Sequence, residues 1–176
     1  MSHPIYFQAI SEKARELEQL CCASHNHLAK FKSLQRIYND SELITEYEME
    51  LYDYYDWLNY AVSDKLIQIC TKVRVFQDSY KEEWDESYSP EMEAFEHFPT
   101  IAEVLEGAVN LSLRECCNKV IHALKFELIM LNSPDGISYW DGDIILSGTQ
   151  AKRNWKIKVN VYKFCLSIRI YFRLFT

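Results

Sequence analysis

The sequence predicts a mainly α fold, an antiparallel helical bundle completed by a small C-terminal antiparallel β-hairpin or sheet. Three observations carry that reading. Apolar residues recur at helical spacing through most of residues 5–126. Gly and Pro are scarce, 4 of each in 176 residues, which disfavours a loop-rich β-sandwich. The apolar period then changes to strict alternation after Pro134. The length suits a single domain, residues 1–176, with a bundle over 5–126 and a hairpin and closing segment over 127–176.

The elements follow in order. Ile10, Ala14, Leu17, Cys21, Leu28, Phe31, Leu34 and Tyr38 mark one long helix, or two collinear ones, over residues 5–38. Asn39-Asp40-Ser41 interrupts it and suits a cap. From Glu42 to about Trp84 no Gly or Pro occurs. An apolar stripe through Leu43, Tyr47, Leu51, Tyr54 or Tyr55, Leu58, Val62, Leu66, Ile69, Val73 and Phe76 predicts a second arm, antiparallel to the first. Ser89-Pro90 opens a short helix. Thr100-x-x-Glu103 reads as a capping box for a helix through Glu106. The next helix spans about Asn110–Phe126, capped by Ser112 with Glu115 or continuous from Thr100. Asn132-Ser133-Pro134-Asp135-Gly136 is a turn cluster. Residues 143–148 and 155–161 form a hairpin around a Thr149–Asn154 loop, with Trp155, Ile157, Val159 and Val161 on the buried face. Phe126–Leu131 is a candidate third strand, and Tyr162–Phe172 fits either a helix or a strand.

Charge is unevenly spread. The net charge is −7, but residues 1–113 balance to −12 and residues 114–176 to +5. A basic C-terminal third offers a phosphate-attracting face; equally, the two parts satisfy each other or a sister chain. Met1-Ser2-His3-Pro4 lacks the basic and apolar run of a signal peptide, and no apolar stretch approaches membrane-spanning length. Six cysteines without a CxxC read as reduced core thiols rather than a disulfide framework or zinc site. A soluble cytoplasmic protein, with no membrane partner, is expected.

The chemistry-bearing run is Leu113-Arg114-Glu115-Cys116-Cys117-Asn118-Lys119-Val120-Ile121-His122-Ala123. On a helix, Arg114, Asn118 and His122 at i, i+4 and i+8 drift only about 40° per step and stand in a row about 6 Å apart. Phosphodiester cleavage uses such a set. A histidine moves protons near neutral pH, an arginine grips phosphate through two bonds, and an amide orients either. The plainer reading is a core histidine bonded to a carbonyl and an arginine paired with an acid of the long arms.

This run, following two long helices, resembles the Arg…Asn-x-x-x-His helix of the HEPN superfamily, especially its bacterial abortive-infection type. The resemblance implies a HEPN-like bundle and a metal-independent endoribonuclease of toxin or antiviral-defence type. It also implies a homodimer in which two motif helices face each other. His122 would be catalytic, Asn118 the polar residue four before it, and Arg114 the phosphate-binding arginine. The run departs from the pattern in one respect, because Cys117 stands where the arginine commonly precedes the polar residue.

Weaker constellations complete the inventory. Cys21 and His25, with Cys22 and His27, have partial metal-ligand spacing but no second pair, so no metal or cofactor is expected. Tyr47, Tyr52, Tyr54, Tyr55, Trp57 and Tyr60 could stack bases, but Glu46, Glu48, Glu50, Asp53 and Asp56 would repel phosphate, favouring a core and dimer surface. Asp141-Gly142-Asp143 reads as a tight turn feeding the hairpin. The function classes left are a HEPN-like ribonuclease acting on RNA, an inactive HEPN-like module binding RNA, a nucleotide or a protein, and a structural helical interaction protein. An antitoxin or regulatory protein is an expected partner of the first.

Overall fold

A computed structural model describes residues 7–38, 41–79 and 88–175, with the side chains of residues 35–47 outside that description. The proposed cap at Asn39-Asp40 and the part of the second arm beyond Ser79 up to Trp84 lie outside it. Five helices and one four-stranded antiparallel sheet make up the described residues.

The two long arms are helices α1 (Phe7–Tyr38) and α2 (Ser41–Ser79). Their pairing is antiparallel. The Phe7 ring meets Phe76 at 5.1 Å, Glu16 pairs with Lys65, and His27 stacks on Tyr54 at 4.8 Å. The apolar stripes lie between them and against the sheet: Ile10, Ala14, Leu17, Cys21 and Leu28 of α1 are buried, as are Leu58, Val62, Leu66, Ile69, Val73 and Phe76 of α2. Leu34, by contrast, is 49% exposed, so the α1 stripe ends before the helix does. Helix α3 (Pro90–Glu96) begins as the sequence indicates, with the Ser89 side chain accepting from Met92 N–H and Pro90 in the first turn.

The expected helix over residues 100–106 is a strand, β1 (Ala102–Glu106). Thr100 adopts φ 55°, which is incompatible with an N-cap, and Val104 pairs with Ile157 at the far end of the chain. The bundle therefore does not extend unbroken to residue 126. Helix α4 (Leu113–Ile121) is capped by Ser112, whose hydroxyl accepts from Glu115 N–H at 3.1 Å, but it stops short of Phe126. The Leu124 N–H bonds to Ser147 O at 2.9 Å, and the chain passes directly into β2 (Lys125–Asn132).

Strands β3 (Ser138–Gln150) and β4 (Arg153–Asn160) form the expected hairpin, and helix α5 (Val161–Arg173) resolves the closing segment. Sheet order is β1-β4-β3-β2. The hairpin loop is tighter than the expected Thr149–Asn154, because Gln150 pairs with Arg153 and leaves only Ala151 and Lys152 between them. Asp141-Gly142-Asp143 is a bulge within β3 rather than a turn. Pairing steps from Leu128↔Ile144 to Met130↔Trp140 across it. Gly142 there has φ 114° and lies so near Cys21 that an added Cβ would sit 3.1 Å from its Sγ.

One sheet face carries Trp140, Ile144, Leu146, Trp155, Ile157 and Val159 into the core, where Phe164, Cys165, Ile168 and Phe172 of α5 join the α1 stripe. Burying each such side chain contributes roughly 1.5–3 kcal/mol before chain entropy is counted. Polar ties fix the helices: Arg169 grips both carboxylate oxygens of Glu18 at 2.7 and 3.0 Å, and Ser167 Oγ donates to Ala94 O at 2.7 Å. All six cysteines are free, and every one except Cys22 is buried. No helix among the described residues is long and apolar enough to cross a membrane.

Candidate nucleic-acid site at helix α4

Helix α4 presents Arg114 and Asn118 on one side, and His122 is its C-cap (φ −107°, ψ 11°), its N–H bonded to Asn118 O at 2.9 Å. The chain leaves the helix after His122, in the turn into β2 just described. The three residues border one continuous cleft. A cavity of about 670 Å³ is lined by Arg114, Asn118 and Lys119 of α4, by the loop before it, and by Arg153, Asn154 and Trp155. An adjoining cavity of about 420 Å³ is lined by His122 with Thr149. Glu115, Asn118, Lys119, Gln150 and Trp155 line both.

A chain of charged and polar contacts runs along this cleft. Arg114 Nη2 donates to Asp78 Oδ1 at 2.6 Å, and Asp78 Oδ2 accepts from Arg74 Nη2 at 3.2 Å. Arg74 Nε donates to Asn118 Oδ1 at 2.7 Å, and Asn118 Nδ2 to Glu115 Oε2 at 3.1 Å. Glu115 in turn pairs with Lys119 at 3.0 Å. Lys119 is 4% exposed, donates to Gln150 Oε1 at 2.6 Å, and stands over the Trp155 ring. The backbone N–H of Arg114, one of the unpaired donors of the first helical turn, is taken by Glu91 Oε1 at 2.7 Å. The Arg114 hydrogen bond, and after it the charge of Arg74, hold the Asp78 carboxyl below the ordinary carboxylate range.

Three cations and three carboxylates balance in this network, so the positive character of the cleft comes from Arg153, which makes no ion pair with a described residue. Part of the basic C-terminal third is similarly consumed. Arg169 serves Glu18, Arg114 serves Asp78, and Lys158 bonds Asp143 at 2.5 Å. Of these, the Arg169 and Arg114 pairs join the basic third to the acidic part, so docking of opposite charges within the chain accounts for part of the imbalance.

His122 is exposed, and its imidazole has no hydrogen-bond partner among the described residues. It is not the buried, bonded histidine that a purely structural role requires. Gly148 makes room beside it: an added Cβ would lie 2.6 Å from Trp155 Cζ2 and 3.2 Å from His122 O. Sequence spacing did not single out Lys119, Gln150, Arg153, Trp155, Arg74 or Asp78. For Lys119 a signal existed, a lysine set among Cys116, Cys117 and Val120, all buried. For Arg74 and Asp78 none did, because tertiary packing alone brings α2 to α4.

The weaker constellations separate. Cys21 is buried against Gly142, while His25 lies edge-on to Tyr139 at 4.8 Å and 4.0 Å from Asp135. Among the described residues no three His, Cys, Asp or Glu side chains gather as a metal site. Of the aromatic cluster, Tyr54 is buried and Tyr55 donates to Ser138 O at 2.5 Å, whereas Tyr52, Trp57 and Tyr60 are exposed. The side chain of Tyr47 lies outside the described residues. No family model, no curated protein and no solved structure matches this chain.

Proposed function

We propose that this chain is a HEPN-like protein that binds RNA along the α4 cleft and cleaves it without a metal. His122 moves the proton, Asn118 positions, and Arg114 contacts phosphate together with Arg153. The observation that carries the reading is Asn118, which lines both the cavity of Arg114 and that of His122 and so joins the three residues along one wall. The uncommitted, exposed imidazole supports the same role. The antiparallel α1–α2 pair preceding the motif helix supports the HEPN-like assignment, which the strand β1 and the displaced arginine modify.

A binding module that does not cut is the second reading, favoured by the Arg114–Asp78 pair. That pair commits the guanidinium to a carboxylate, which phosphate must displace to reach it. A homodimer fits either reading. Met49, Tyr52, Tyr60, Ile67 and Val75 are exposed along α2, more apolar surface than a monomer's helix ordinarily leaves in water.

The test is cleavage of RNA by purified protein in the presence of chelator, comparing wild type with His122→Ala and Arg114→Ala. A general acid–base histidine contributes about 10²–10⁴ in rate, so His122→Ala should lose nearly all cleavage while its circular dichroism is unchanged. RNA that is retained but never cut by wild type selects the binding reading. Absence of both binding and cutting ends the proposal.

A further inference from the structure

A second cleft lies on the α1–α2 pair, about 25 Å along α2 from Arg74 at a rise of roughly 1.5 Å per residue. Its volume is about 400 Å³. Leu20, Ala23 and His27 border it from one side of α1; Glu50, Asp53, Tyr54 and Trp57 border it from one side of α2. Counted from the first lining residue of each helix, these positions fall at i, i+3 and i+7 on α1 and at i, i+3, i+4 and i+7 on α2, so each helix contributes a single face. The walls are aromatic: Tyr54 and Trp57 have centroids 5.7 Å apart with planes inclined by 38°, and His27 stacks on Tyr54 at 4.8 Å. Trp57 is 50% exposed and Tyr54 9%, so one indole stands free at the mouth of a site whose inner wall is fixed.

On the α2 side the charge has one sign, and from α1 His27 Nε2 lies 3.8 Å from Glu50 Oε1, which leaves Asp53 as the lining carboxylate without an ion pair among the described residues. Glu48, Glu50, Asp53 and Asp56 lie along this stretch of α2, and no lysine or arginine occurs between Ser41 and Asp64. Such a surface repels phosphate and nucleic acid. Aromatic faces carry negative potential, and carboxylates at the rim add to it, so the chemistry that fits is a weakly hydrated organic cation. A small inorganic cation would instead seek several oxygen ligands at close range, which the two carboxylates do not supply.

We propose that the cleft formed by His27, Glu50, Asp53, Tyr54 and Trp57 binds an alkylammonium group, with the cation against the Trp57 and Tyr54 faces and Asp53 and Glu50 as its counter-charges. This is independent of the α4 cleft and of any activity there.

The probe is choline, titrated into the full chain by calorimetry beside its neutral isostere, in which a tert-butyl group replaces the trimethylammonium. Choline should bind saturably in the millimolar range or tighter, and the isostere should not. Trp57→Ala should weaken choline about tenfold or more, and Asp53→Asn should weaken it severalfold, each removing one of the two attractions named. Both side chains are exposed at the rim, so the variants should keep the wild-type thermal transition, checked by calorimetric scan. Equal binding of the isostere would make this an apolar groove and overturn the proposal. So would unchanged choline affinity in Trp57→Ala, or no choline binding at all. Loss of dimerisation in Trp57→Ala without any choline binding would assign the surface to a second copy of the chain instead.

Discussion

The Nζ of Lys119 stands 4.5 Å from the centre of the Trp155 ring, while hydrogen bonds to Gln150 and Glu115 take up its charge on two further sides. A lysine only 4% exposed is tolerated because ring, amide and carboxylate together replace the water it gives up. Lys119→Met keeps the aliphatic stem but leaves Glu115 and Gln150 without their donor. It should cost about 1–3 kcal/mol, read as a lower urea midpoint at unchanged slope. A stability equal to wild type would show that the lysine contributes no more than its methylenes.

Asp78 titrates below an ordinary carboxylate because Arg114 donates to it and Arg74 lies alongside. A folded-state value held below the unfolded one favours folding above the unfolded value and loses that contribution as pH falls through the folded one. The window therefore lies in the acid range beneath the usual aspartate titration. In a carbon-detected NMR titration, Arg114→Ala should move the Asp78 midpoint upward, and an unmoved midpoint would count against this pairing. The carboxylate is exposed, so the change in overall stability should be slight.

Burial pushes the thiols of Cys21, Cys70, Cys116 and Cys165 well above the ordinary range, which removes both access and thiolate. Native protein treated with a thiol reagent should therefore show one fast-reacting cysteine, Cys22, and denatured protein all six. Cys22→Ser should abolish the fast phase. Two fast thiols in the native state would mean that one of the buried sites opens readily.

Ala151 and Lys152 occupy the two-residue loop between β3 and β4 with φ 48° and 65°. Positive φ at both central positions is the geometry in which Asn-Gly is favoured and in which an L side chain is strained. Replacing the pair by Asn-Gly should stabilise the protein by about 1 kcal/mol, visible as a rise in Tm. Because this hairpin tip lies against the α4 cleft, the same variant should leave RNA binding in place only if Lys152 makes no contact with it.

The long arms were legible because their burial repeats locally. Leu58, Val62, Leu66, Ile69, Val73 and Phe76 form the stripe in the sequence and the buried face in the structure. The Ser112 cap and the alternating face of β4 were legible for the same reason. The segment Ala102–Glu106 was not, since nothing in five residues announces a partner at Ile157 and Val159; a long-range pairing overrode a local capping pattern. The end of α4 was hidden likewise, set by a bond from Leu124 to Ser147. Of the candidate site, the chemistry-bearing types were visible in the run from Arg114 to His122. Their real partners, Asp78, Arg74 and Gln150, were not, because each arrives from another element.

Strand β1 lies at one edge of the sheet, yet its partner β4 is made some fifty residues later. Contacts of high sequence separation bring loop-closure entropy into the folding barrier, so the sheet should assemble from its C-terminal hairpin outward, with β1 docking last. On the ribosome β1 emerges before any strand it can pair with. Until β4 follows, Leu105 and the open backbone of Ala102–Glu106 wait in solvent, flanked by Glu103 and Glu106, whose charges guard that waiting edge against the strands of other nascent chains.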